Sequence, residues 1–437
     1  HRTDLGNAER LIDSHGDTLK FCFAWNKWLI WDGIRWVKDN GEGIIGKAKD
    51  IVKDIYVEAS ETGDSGKRKE LAQFALSCES AFKIEQMIKL ARSEVAIKPD
   101  ELDSNKGLLN CQNGTIDLET GELLPHDRKH LITKIANVEY QANATYELWL
   151  RFLNEIMDNN QNLISFIQRA LGYSLTGDIS ERCIFILYGL GANGKTTLLS
   201  VLGGILNDYA LQTPTQTLMV KHYDGIPNDI ARLKGARFVT ATESETSQRL
   251  NEGLIKQLAG GDMVSARFMR GEFFDFMPTH KLWLATNHKP IIRGTDKAIW
   301  DRIRLIPFNV VIPEEKQDKH LVEKLLNEAS GILNWAIEGC RKWQREGLGT
   351  PEEVREATNE YRNEMDILAN WLEDNCLIGK EYSATAKVLY QDYQNWCNAN
   401  GEKAISQRHF GLSLTERGFE RLKDRNGMNY LGVGICE

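Results

Sequence analysis

No apolar run in this 437-residue sequence approaches the length of a bilayer-crossing helix, so a membrane-embedded reading has no support. The stretch after His1, RTDLGNAERLIDSHG, lacks the apolar core of a secretory signal, and with no Met at position 1 the chain is expected to be a fragment or processed product. The eight cysteines (22, 78, 111, 183, 340, 376, 397 and 436) include no CxxC pair. Neither a zinc knuckle nor a disulfide framework is therefore indicated, and a reducing, cytoplasmic setting is expected. Positive charge is not in excess: a net charge of -8 excludes a chain coated in basic residues, yet leaves room for a channel lined locally with Lys and Arg. Internal repeats and low-complexity tracts are missing as well. His126 and His130 stand four apart, a spacing able to hold a metal on a helix, but Pro125 and the charges between them read as a solvated loop. The residues present, 42% hydrophobic and 27% charged, have the balance of a globular protein long enough for two or three domains.

One stretch carries a definite chemistry. YGLGANGKTT, Tyr188 to Thr197, comes after the apolar run CIFIL and precedes the apolar LLSVLGGIL, so a strand feeds a glycine loop that opens a helix. Gly189, four residues, Gly194, Lys195 and Thr196 fit the phosphate-binding P-loop spacing. Glycines let backbone N–H groups turn toward phosphate oxygens, and the helix N-terminus adds partial positive charge. Gly191, Ala192, Asn193 and Thr197 complete the expected cradle, in which Lys195 reaches the β and γ phosphates of ATP and Thr196 ligates Mg²⁺.

Four modules are expected around it. Residues 1–145 read as an α+β module: a short helix, a meander with turns at Asn26-Lys27 and Asp32-Gly33, helical text from Ile44 to Ala96, and strands turning at Asn113-Gly114 and Thr120-Gly121. Trp25, Trp28, Trp31 and Trp36 recur in the meander at a spacing that suits a core better than base stacking. Residues 146–312 read as an α/β core of P-loop type, 313–350 as a helical lid and linker, and 351–437 as helix, helix and hairpin, a winged-helix order. In that last segment Lys403, Arg408, Arg417, Arg421, Lys423 and Arg425 modestly outnumber nearby acids, which leaves DNA contact and protein packing both open.

Motifs downstream of the loop separate a motor from a kinase or a switch. FVTATESE is a strand ending in Glu243 and Glu245, suited to hold the Mg²⁺ shell and polarise an attacking water. MVSARFMRGEFFDFM alternates around Arg270-Gly271-Glu272 as a hairpin projecting Arg270 and Arg267. HKLWLATN ends in Asn287, an amide able to position the water, and WDRIRLIPF carries Arg302 and, as second choice, Arg304, candidates for an arginine finger or for a plain surface ion pair.

These motifs, with the stretch from Ile255 to Arg267, resemble the superfamily 3 helicases of phage and plasmid primase–helicases, which are related to the poxvirus helicase-primase. The resemblance implies an AAA+-type ATPase with a winged-helix C-terminal module. Its expected activity is a hexameric ring that moves 3′ to 5′ along single-stranded and forked DNA, with Arg302 acting on the neighbouring subunit's nucleotide. An origin-binding loader is the alternative. It also implies a primase–polymerase domain upstream; no Asp-x-Asp pair, which that chemistry would use for its metals, occurs here, so primer synthesis is not expected of this chain.

Overall fold

Five short apolar runs, Ile184–Tyr188, Ala210–Gln212, Phe238–Thr242, Lys281–Thr286 and Ile303–Pro307, form one parallel sheet in the computed structural model. Numbered along the chain, the strands lie in the order fifth, first, fourth, third, second. Both faces are covered, as a parallel sheet requires. Phe185, Leu187, Trp283 and Ile306 point into one core, while Ile184, Ile186, Leu284 and Leu305 point into another. That alternation under two buried faces is why the strands read as continuous apolar runs. The structure describes residues 1–221, 228–242, 248–269, 271–294, 297–402, 404–424 and 427–436.

The amino-terminal region is α+β. Three antiparallel strands, Leu19–Cys22, Lys27–Trp31 and Trp36–Lys38, are succeeded by helices Glu42–Glu61, Ser65–Cys78 and Ala81–Ala91, which resolve the expected helical text into three pieces. A second small sheet, Leu108–Cys111, Gly114–Asp117 and Leu123–Leu124, comes next. Trp28 and Trp36 are buried in cores, and Trp25 and Trp31 are half-buried against the second of these.

This region is bolted to the segment that leaves the glycine-loop helix Lys195–Leu206. Asn137 N donates to Ile205 O at 2.8 Å, Asn110 N to Tyr209 Oη at 3.2 Å and Lys134 Nζ to Asp208 O at 3.1 Å, while Arg35 pairs with the Asp208 carboxylate.

Helices Gln161–Leu175 and Ala329–Glu346 pack face to face on one side of the sheet. Helix Glu352–Met365 lies on the edge strand Ile303–Pro307, where Leu305 N donates to Thr358 Oγ1 at 3.1 Å and Tyr361 enters the central core. Beyond it come helix Ile367–Asn375, strand Cys376–Thr385, helices Ala386–Ala399 and Gln407–Glu416, and the hairpin Glu420–Asp424 with Gly427–Ile435. The last strand lies between the other two. Asn426, expected in that turn, falls outside the described residues.

Candidate functional site

Strand order locates the site. The first and fourth strands are neighbours, yet the chain leaves them in opposite directions, to the second strand at one edge and the fifth at the other. Ligands of open parallel sheets bind outside the carboxyl ends of the strands at such a reversal. Tyr188 and Thr286 are paired there, and Ala285 is in register with Thr242 of the third strand.

The glycine loop fills this crevice. Gly189 has no room for a side chain: a Cβ would lie 2.2 Å from Asn193 Nδ2 and 2.3 Å from Phe308 O. Gly194, with φ at +81°, turns the chain into the helix where a Cβ would meet Ile156 Cγ2 at 2.5 Å. The segment after the fifth strand backs the loop, since Asn193 Nδ2 donates to Phe308 O at 3.2 Å and Ile312 N to Ala192 O at 2.8 Å. Phe308 closes the motif WDRIRLIPF, which assigns it no role, and Ile312 is marked only by the run IPFNVVI.

Lys195, 5% exposed, donates from Nζ to Gly189 O at 2.7 Å, Asn193 Oδ1 at 2.8 Å and Asn287 Oδ1 at 3.0 Å. Loop lysine and strand-end amide, 92 residues apart, thus meet at the strand ends. Burial pushes the ammonium down to about 8. Among the described residues no carboxylate pairs with it. Thr196 is exposed at the first helical turn and Thr197 half-buried; Gly191 and Ala192 have φ at +109° and +47°. Beside the amide, Lys289 pairs with Glu364 at 2.7 Å and stands 4.9 Å over the Tyr188 ring, which ties helix Glu352–Met365 to the crevice.

Glu243, Glu245 and Arg270 lie outside the described residues. The strand carrying the two glutamates in sequence ends at Thr242, beside the crevice. The hairpin around position 270 is formed by Val264–Ala266 and Phe274–Phe276, and Arg267 stands 4.7 Å over the Phe273 ring.

Arg302 sits at the other end of the sheet. Its carbonyl accepts from Ile184 N at 2.8 Å at the start of the first strand, and its Nη1 donates to Ala298 O at 2.6 Å. Five strand residues at about 3.3 Å each separate it from the loop of its own chain. Arg304 pairs in register with Phe185 and donates to Asp301 O at 2.7 Å. His126 is held by Asn110 Oδ1 at 2.9 Å and Gln112 O at 3.3 Å, and no group of metal-ligating side chains occurs among the described residues.

Residues 8–158 match a family described as "D5 N terminal like", and residues 187–302 match a "Family of unknown function (DUF5906)". The chain is 27% identical over 336 residues to "Putative helicase L207/L206" of Acanthamoeba polyphaga mimivirus, covering 70% of this chain and 35% of that protein. It is 24% identical to "Putative primase C962R" of African swine fever virus (isolate Warthog/Namibia/Wart80/1980), covering 72% of this chain and 35% of that one. Over about 70% of its length the chain is thus similar to viral proteins named putative helicase or putative primase. It spans about a third of the length of these curated relatives. Its fold resembles the C-terminal region of NrS-1, with a TM-score of 0.52 at 12% identity over 95% of this chain and 96% of that one. No described helix is long and apolar enough to cross a membrane.

Proposed function

We propose that this chain is the ATP-hydrolysing helicase portion of a viral or plasmid replication protein, an AAA+-type motor. In this reading it forms a hexameric ring in the host cytoplasm and moves 3′ to 5′ along single-stranded DNA to open a fork. The observation that carries the reading is the Lys195 ammonium, buried at the strand ends among neutral oxygens with no carboxylate partner among the described residues, where ATP phosphates would bring a counter-charge.

The residues present fit such a ligand. Gly189, Gly191, Ala192, Asn193, Gly194 and Thr197 would cradle the phosphates, and Thr196 with Glu243 would hold Mg²⁺, whose charge favours departure of the γ-phosphoryl group. Glu243 or Glu245 would polarise the water that Asn287 orients. Arg302 is out of reach of its own loop, which supports a finger acting across a subunit boundary, with Arg304 as second choice. Arg267 and Arg270 would face DNA. Helix, strand, two helices and hairpin at the C-terminus support a winged-helix reading, with Arg408, Arg421 and Lys423 exposed, while Arg417 is paired with Asp366 at 2.5 Å. Lys403 and Arg425 lie outside the described residues.

A plain forked duplex without any origin sequence tests the proposal. ATP-dependent strand displacement is expected, and Lys195→Ala should lose both displacement and ATP hydrolysis while still binding DNA. Binding without displacement would favour the loader; near-normal turnover by Lys195→Ala would overturn the phosphate cradle.

A further inference from the structure

The hairpin Val264–Ala266 with Phe274–Phe276 is anchored at its base and exposes apolar side chains beyond it. Val264, Ala266 and Phe276 are buried in the core under the sheet, whereas Phe268 is 47%, Met269 68% and Phe273 61% exposed. Exposed rings at a protruding turn cost solvation unless something covers them. Their neighbours are cations. The Arg267 guanidinium lies 4.7 Å over Phe273, Phe268 stacks on Phe274 with centroids 5.5 Å apart, and Lys234 Nζ stands 5.2 Å over that same Phe274 ring. The result is two ring systems, each backed by a positive charge.

We infer that this ladder grips single-stranded DNA by its bases, with Phe268 and Phe273 as the stacking platforms. The inference rests on the helicase reading and adds to it the part of the strand that is held. Aliphatic cover from a neighbouring subunit would need no cation behind each ring; a polyanion carrying flat bases matches both features at once. Arg267 is occupied by Phe273, so its charge strengthens the platform. Recognition through the π-faces is indifferent to base identity, as a motor crossing any sequence requires.

Three DNA strands of equal length separate the contributions, measured by fluorescence anisotropy with the full chain and a non-hydrolysable ATP analogue. These are an ordinary strand, an abasic strand with all its phosphates, and a methylphosphonate strand with all its bases and no backbone charge. The ordinary strand should bind roughly tenfold or more tighter than the abasic one, and the methylphosphonate strand should retain more affinity than the abasic strand. Phe268→Leu with Phe273→Leu keeps the tip apolar and removes the stacking surface; it should weaken the ordinary strand to the abasic level and leave abasic binding unchanged. Phe268→Leu with Phe273→Trp keeps one stacking surface and should recover most of the affinity that the double leucine variant loses. Equal affinity for ordinary and abasic strands would overturn base gripping while leaving the helicase reading intact. If the leucine variant changes the oligomeric state without DNA, the tip is a subunit contact and the inference fails. Absence of binding to every strand would sink both.

Discussion

Lys195 shows how one buried side chain sets a pH window. Its ordinary value of 10.5 falls to about 8 because burial among carbonyl and amide oxygens penalises the charge. The unfolded chain therefore binds this proton more tightly than the folded one, and between pH of about 8 and 10.5 this group contributes stability that grows as pH rises. Phosphate binding needs the opposite protonation state. ATP affinity is expected to be flat near pH 7 and to weaken above pH of about 8, approaching tenfold per pH unit once most of the lysine is neutral. Titrating the ATP Kd between about pH 7 and 9.5 at constant ionic strength checks this. A Kd unchanged across the range would mean either that burial does not lower the Lys195 ammonium or that Lys195 makes no phosphate contact. Asn287 shows the other side of residue-scale reading: its position after a strand marks it in the sequence, but its 3.0 Å contact with Lys195 depends on the fourth strand lying beside the first.

At the level of elements, the helix pair Gln161–Leu175 and Ala329–Glu346 is fixed by two glycines. A Cβ on Gly172 would sit 2.0 Å from Cys340 N, and one on Gly339 2.0 Å from Gln168 O. Both obstacles are helix backbone, which cannot rotate aside as a side chain would. Gly172→Ala or Gly339→Ala should therefore destabilise the protein by about 3 kcal/mol, the upper end of overpacking costs. The urea midpoint of each variant measures it, and a loss under about 0.5 kcal/mol would show that the helices slide apart freely. Nothing in the local text marks Gly172 as a contact, because its partner lies far along the chain. The central strands are legible for the opposite reason: burial on both faces leaves a local signature of unbroken apolar residues, as in IFILY and KLWLAT. The hairpin at 264–276 is legible from its alternation. Strand Cys376–Thr385 is not, since CLIGKEYSAT is largely solvent-facing, contains Gly379 and shifts register between Ile378 and Ser383. Likewise the text EEVREATNEYRNEM reads as the opening of the last segment, yet Tyr361 and Thr358 bind this helix to the sheet edge. Helical periodicity shows that a face is apolar without naming the surface that covers it.

For the whole molecule, the direction of the sheet decides what one chain can do alone. The glycine loop, Lys195 and Asn287 gather at the carboxyl ends of the strands, whereas Arg302 precedes the fifth strand at the amino ends. Both the parallel register, Ile303 with Ile184 and Pro307 with Tyr188, and the buried strand between them hold these positions apart. The amino-terminal region is fixed at the amino ends, opposite the glycine loop, because Asn110, Lys134 and Asn137 bind the segment leaving the loop helix. A guanidinium so fixed does not reach the glycine loop of its own chain, and in the proposed reading it would act on another copy. A finger supplied in this way is worth on the order of 10³ or more in rate, far beyond an exposed ion pair. Arg302→Ala is thus expected to bind ATP and hydrolyse it poorly, and Lys195→Ala to fail at the cradle. Mixed together, the two variants form some interfaces in which an intact cradle faces an intact finger, and those interfaces should turn over. ATPase activity measured against mixing ratio should rise above either variant alone and peak at intermediate ratios. If mixed assemblies form, as subunit exchange between differently labelled chains would report, and activity stays flat, then Arg302 does not act between subunits; Arg304, whose Nη1 is held by Asp301 O at the same end of the strand, is then tested in the same way.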